Sequence, residues 1–173
     1  TPLYSSAASD VYKRQDLRLS GGQAPLYHLP FASMYTGRFP KKKLLTPAPN
    51  LGFDGEIRFG DERWEIARWV GLRGHNWGRE HAHRYAYGSC NQWDDGDRDR
   101  AVDGFTAQIR LGATTSPWLT AAVGRGPALR YNQPRHWFAS GEVSLGRWRA
   151  RWWRPWKQVD LQFTADPSSY VGL

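Results

Sequence analysis

Runs of strict apolar–polar alternation constrain this chain more than any other feature. Trp148, Ala150 and Trp152 alternate with Arg147, Arg149 and Arg151, and Val159, Leu161, Phe163 and Ala165 alternate with Asp160, Gln162 and Thr164. The same period recurs where Ile57 and Phe59 alternate with Glu56 and Arg58. It recurs again where Phe105, Ala107, Ile109 and Leu111 alternate with Thr106, Gln108 and Arg110. Successive side chains of a strand point to opposite faces, so each run gathers its apolar groups on one side and its charges on the other. Antiparallel strands with one solvated face are the expected outcome. Gly60-Asp61 reads as a hairpin turn, and Trp64, Ile66, Arg68, Val70 and Leu72 are expected to share one face of the strand that follows. Trp118 to Val123 reads as a further short strand. No segment of comparable length has a helical period; a single turn at Arg79 to His83 is the most it offers. The expectation is an all-β meander closing towards a barrel.

Two segments depart from this pattern. Thr1 to Gln15 has no periodicity and resembles translated sequencing-adapter sequence, so residues 1–24 are expected to be a non-native or disordered leader. Prolines at 25, 30, 40, 47 and 49 punctuate the next stretch. Proline lacks an N–H to donate, so this stretch is expected to wrap a surface as extended chain without a central strand, with one edge strand near Phe31 to Tyr35. The β domain is then expected over residues 25–173, and Ser169-Tyr170-Val171-Gly172-Leu173 reads as the start of another strand, so that a closing strand is expected to be missing. A chain of 173 residues is long enough for one domain with a substantial core.

Ten tryptophans and a net charge of +8 set the functional question. So many indoles in one domain suggest a wide apolar interior or an aromatic cavity. The charge could attract nucleic acid or an anionic membrane surface, which makes a basic nucleic-acid or membrane-surface binder one reading, with peripheral membrane association as its milder form. In Trp148 to Lys157, however, alternation puts the indoles on one face and the arginines on the other, whereas base-stacking platforms need both on one face. Nucleic acid is therefore not the expected partner. No run approaches the roughly 18 apolar residues of a membrane-spanning helix. No signal-peptide pattern is visible, which leans towards a cytoplasmic location without fixing one. Nothing in the residues fixes an oligomeric state.

The chemistry-bearing cluster is Gly74-His75-Asn76-Trp77-Gly78, which gathers an imidazole, a carboxamide and an indole between glycines. Tyr85, Tyr87 and Trp93 follow it, with Asp94 and Asp95 just beyond. If Tyr85 and Tyr87 face an interior, the site is an aromatic cavity able to bind a polyene and stabilise positive charge on carbon. His75, or a buried carboxylic acid, would donate a proton there. Alternatively His75 and Asn76 hold the turn through bonds to its backbone. His75, His81, His83, Glu80 and Cys90 do not make a convincing metal set, because no second cysteine or suitably spaced carboxylate completes it. Gly-x-Ser-x-Gly is absent, no phosphate-binding glycine loop opens a helix, and a lone Cys90 reads as a small hydrophobe.

The Gly74–Gly78 motif, with Arg79-Glu80-His81-Ala82, Tyr85/Tyr87, Phe53-Asp54-Gly55 and Tyr27-His28-Leu29-Pro30, resembles the AttH-like, carotenoid 1,2-hydratase (hydroxyneurosporene synthase) family over about residues 25 to 173. The resemblance implies a lipocalin-like antiparallel barrel, here an incomplete one from a two-barrel protein. It implies a hydrophobic ligand of isoprenoid or polyketide type, no cofactor, and hydratase (lyase) or cyclase activity. A non-catalytic carrier of the same ligand is the alternative. His75 is then the expected acid/base group, and Asn76, Trp77, Tyr85, Tyr87 and Trp93 the expected ligand-binding residues. The family also pairs a Tyr with a proton-donating Asp on a later strand. The strand expected at Phe105 to Leu111 contains no such Asp, so no carboxylate is assigned from the sequence.

Overall fold

The computed structural model describes residues 13–125, 129–154 and 157–169. Its strands are β1 (Lys13–Ser20), β2 (Leu26–Tyr27), β3 (Lys42–Phe59), β4 (Glu62–Gly78), β5 (Arg84–Cys90), β6 (Ala101–Gln108), β7 (Arg110–Leu111), β8 (Thr114–Thr115), β9 (Leu119–Arg125), β10 (Arg130–Tyr131), β11 (Ser140–Ser144), β12 (Arg147–Arg154) and β13 (Lys157–Thr164). A short helix, α1, spans Ser33–Thr36. Every pairing is antiparallel. In the first sheet β1, β2 and β4 all pair with β3; the second runs β10-β9-β6-β5; the third runs β11-β12-β13; β7 and β8 form a small ribbon. The molecule is all-β, and its sheets do not close into a barrel.

The second sheet is the middle layer. Its β6–β9 register pairs Thr106 with Thr120 and Gly104 with Ala122, which turns these residues towards the third sheet. There Ala122 packs with Tyr131, Trp148, Ala150 and Trp152, all buried, as the apolar faces of β12 and β13 close over them. Buried indoles need a partner for their N–H. Trp148 Nε1 donates to Thr106 Oγ1 at 2.8 Å and Trp152 Nε1 to the His136 carbonyl at 3.1 Å. The Trp148 ring stacks on Phe163, 4.9 Å between centroids. Gly88 of β5 lets that stack approach, since a Cβ there would stand 2.8 Å from the Phe163 ring. On the opposite face of β12, Arg149 grips Asp160 through both carboxylate oxygens and Arg151 donates to Glu142 at 3.0 Å. The Arg149 hydrogen bond holds the Asp160 carboxyl below the usual carboxylate range.

Several expectations need correction. β3 is a central strand although it contains Pro47 and Pro49. Its ladder with β4 shifts register between Leu45 and Ala48 and again between Ala48 and Leu51. On its other side β2 pairs only with Leu45 and Thr46, while β1 begins at Gly52. The prolines thus sit where neither neighbour requires their missing N–H. The edge strand expected at Phe31 to Tyr35 is instead the helical turn α1. Inside the expected leader, Lys13–Ser20 forms β1 and pairs along its whole length with β3; Val11 and Tyr12 lie outside the described residues. The shared face expected for Trp64 to Leu72 is broken by a bulge at Arg68, whose φ is 53°. Asp54 Oδ1 accepts the Arg68 N–H at 2.8 Å and holds that conformation. The strand expected at Phe105 to Leu111 begins earlier, at Ala101, and breaks at Ile109.

The two neighbouring indoles of β12 provide a test of the layer order. Trp152 is 3% exposed and Trp153 is 76% exposed. Trp152→Ala is expected to lower the unfolding free energy by about 3 to 5 kcal/mol in urea titrations, while Trp153→Ala changes it by about 0.5 kcal/mol or less.

Candidate functional site

A cavity of about 260 Å³ lies between the first and second sheets. Its position follows from register. On β5 and β6, Tyr85 pairs with Ala107, Tyr87 with Phe105 and Ser89 with Asp103, so this set projects together towards the first sheet. From the first sheet, Lys42 and Leu44 of β3 and Asn76 of β4 line the same space, and Leu29, Ile109 and Trp137 complete much of its apolar wall. Lined mostly by hydrocarbon and aromatic surface with few polar groups, it has the make-up of a small-molecule site.

At one wall the apolar character stops. His28, Thr46 and Asp103 are essentially without solvent exposure, at 1%, 0% and 0%. Asp103 projects from β6, Thr46 from the middle of β3, and His28 follows β2 directly. One carboxylate oxygen, Asp103 Oδ2, accepts hydrogen bonds from Thr46 Oγ1 and, at 3.0 Å, from the Tyr87 hydroxyl. The other, Oδ1, stands 3.4 Å from His28 Nε2. That contact is within ion-pair range but not aligned as a hydrogen bond, and neither atom has a hydrogen-bond partner among the described residues. His28 and Tyr87 line the cavity, while Asp103 stands behind them. Buried ionisable groups meeting at the wall of an apolar cavity mark functional sites more often than ordinary packing does.

The surroundings fix His28 in place. The Leu29 amide donates to the Tyr35 hydroxyl at 2.9 Å, and Asn132 Nδ2 donates to the Tyr27 carbonyl at 2.9 Å. These bonds clamp the chain on either side of His28. Tyr87 is 41% exposed along its ring, yet its hydroxyl reaches the buried carboxylate. Burial raises its phenol above the usual tyrosine range, and the Asp103 charge and the donated hydrogen bond push it the same way. Tyr87 therefore stays protonated and remains a donor to Asp103 at neutral pH.

The residues singled out in the sequence divide into three groups. Asn76, Tyr85 and Tyr87 line the cavity. His75 and Trp77 do not; the β3–β4 register pairs them with Leu45 and Lys43, one step out of phase with the Leu44–Asn76 pair that faces inward. His75 is exposed and stacks on Trp77 at 4.8 Å, and Trp77 in turn lies 5.9 Å from Tyr35. Trp93 belongs to a separate cleft with Arg68 and Trp69, where its Nε1 donates to the Arg100 carbonyl at 2.9 Å and the Arg100 guanidinium covers its ring. Sequence reasoning did not assign roles to His28, Thr46 or Asp103. The signal for Asp103 was its parity: in Ala101-Val102-Asp103-Gly104-Phe105 it shares a face with Ala101, Phe105 and Ala107.

The Tyr87–Asp103 bond sets a pH dependence whose sign follows from the raised phenol. Above the ordinary tyrosine range, about pH 10, the unfolded chain releases this proton while the folded chain keeps it, so stability falls as pH rises. Chemical denaturation between pH 8 and pH 11 is expected to show a steeper loss above about pH 10 in the parent protein than in Tyr87→Phe. Equal slopes would mean that this phenol is not held by the buried carboxylate.

In comparisons with protein-family models, curated proteins and solved structures nothing matches this chain, so its functional reading rests on the cavity and its polar wall.

Proposed function

We propose that the protein binds a hydrophobic small molecule between its first two sheets and carries out cofactor-independent acid–base chemistry on it. The observation that carries this reading is the contact between fully buried Asp103 and His28 at the wall of an otherwise apolar cavity. Apolar lining favours an apolar ligand by removing its surface from water, on the order of 25 cal/mol per Å². His28 is the group that meets the ligand, and Asp103 orients the ring and balances its charge when it is protonated. Thr46 and Tyr87 hold the carboxylate in position, which makes them positioning residues. The ring faces of Tyr85 and Phe105 flank the space in which positive charge would develop on the ligand.

Hydration of an alkene illustrates the balance. The imidazolium proton of His28 forms a C–H bond at one alkene carbon, leaving a cation at the other. A water oxygen bonds to that cation and the released proton returns to the imidazole. No electron acceptor or bound group is needed. The family resemblance of the His-Asn-Trp region supports a hydratase or cyclase of this kind, with the proton donor at His28–Asp103 in place of His75. A carrier of the same ligand without chemistry is the second reading, favoured by the exposed position of His75 in the motif that suggested catalysis.

The reading is tested by incubating the protein with short isoprenoid alkenes in D₂O and following binding by tryptophan fluorescence and deuterium uptake by mass spectrometry. Binding with deuterium incorporation is expected for the parent protein. Asp103→Asn and His28→Gln are expected to retain binding within a few-fold and lose incorporation by about 10²-fold or more, the scale of general acid catalysis. Binding without incorporation assigns the protein as a carrier, and absence of binding rejects the cavity as a ligand site.

A further inference from the structure

Two basic stretches meet beside the cavity. Residues 38–43 supply Arg38, Lys41, Lys42 and Lys43, and residues 79–84 supply Arg79 and Arg84, with Glu80 the single acid in either stretch. The fold brings the two stretches together: the Arg79 amide donates to the Lys41 carbonyl at 3.0 Å, and Lys41 takes up Glu80 at 2.5 Å. Lys42 and Lys43 are left without a carboxylate in ion-pair range among the described residues. Both border the cavity, Lys42 on the inward face of β3 with Leu44 and Lys43 on the opposite face.

Their other contacts are neutral. The Lys42 ammonium donates to His81 Nδ1 at 2.8 Å and lies 5.5 Å from the Tyr85 ring centroid. Lys43 is only 7% exposed, and its ammonium donates to the Pro40 carbonyl at 2.8 Å. An ammonium has three donors, and buried lysines are normally paired with an acid. An ammonium such as that of Lys42 beside hydrocarbon surface makes a site with a cationic rim and an apolar interior. The interior, about 260 Å³, has room for a short hydrocarbon segment.

We infer that the natural ligand is an amphiphile with an anionic head, a carboxylate or a phosphate, which sits on Lys42 while its hydrocarbon end runs into the cavity towards His28. This rests on the ligand-binding reading given above and specifies the ligand's charge. The head at the rim leaves the far end of the chain to meet the His28–Asp103 pair, so any proton transfer acts on hydrocarbon remote from the anion.

Titration of the full chain with decanoate, decyl phosphate and neutral 1-decanol at matched ionic strength separates the possibilities. One or both anions are expected to bind tighter than decanol by about tenfold or more, the scale of a hydrogen bond to a charged group. The tighter of the two anions identifies the head. Lys42→Met is expected to remove most of that preference, with its fold checked by far-UV circular dichroism; Lys42→Arg is expected to keep the preference. Equal binding of decanol and both anions would overturn the anionic-head assignment and leave the apolar cavity standing. Failure of all three to bind would instead reject the ligand-binding reading on which the inference depends.

Discussion

A carboxylate with no solvent exposure has to be satisfied by the protein, and the satisfaction of Asp103 ties the architecture together. Its partners come from three places: Thr46 from the first sheet, Tyr87 from the next strand of its own sheet, and His28 from the loop after β2. A buried charge left unpaired is costly enough to disfavour any packing of the two sheets that breaks these contacts. The same group therefore does two things. It fixes how the first sheet sits on the second, and it leaves a histidine at the wall of the space between them. In the function proposed above, structural and chemical roles meet at this one side chain.

The third sheet serves a different purpose. Its indoles and Phe163 seal the far face of the middle layer with a dense aromatic core, while Arg149 and Arg151 are matched by acids on neighbouring strands. The basic composition thus resolves into two regions of unlike meaning. On β12 the Arg149 and Arg151 charges are neutralised within the sheet. Beside the cavity Lys42 and Lys43 meet no acid among the described residues and donate instead to His81 and the Pro40 carbonyl. Net charge alone does not distinguish these cases; neighbouring strands do.

Alternation made the sheets legible. Arg147 to Trp152 and Val159 to Ala165 fall as their period requires, and Gly60-Asp61 turns the long hairpin. Tyr85 and Tyr87 face the cavity for the same reason. What the sequence left hidden depends on long-range pairing. Pro47 and Pro49 pass through a central strand because register shifts and short neighbours spare their missing donors, and local propensity carries no record of that. His75 looked like the reactive group because of its neighbours in sequence, yet strand parity sends it outwards with Trp77. Asp103 stays unassigned in the sequence because the strand expected from Phe105 begins four residues earlier, at Ala101. His28 lies 75 positions before it, and only the pairing of β2 with β3, and of β3 against β6, brings the two together.

Long-range ¹H–¹⁵N spectra of the histidine side chains test the central claim most directly, because they report on His28 and His75 separately. The account requires the His28 ring nitrogens to shift when neutral 1-decanol fills the cavity and again when Asp103 is replaced by Asn, with His75 unaffected by either. A His28 ring that responds to neither change, or a His75 ring that responds to both, would contradict it.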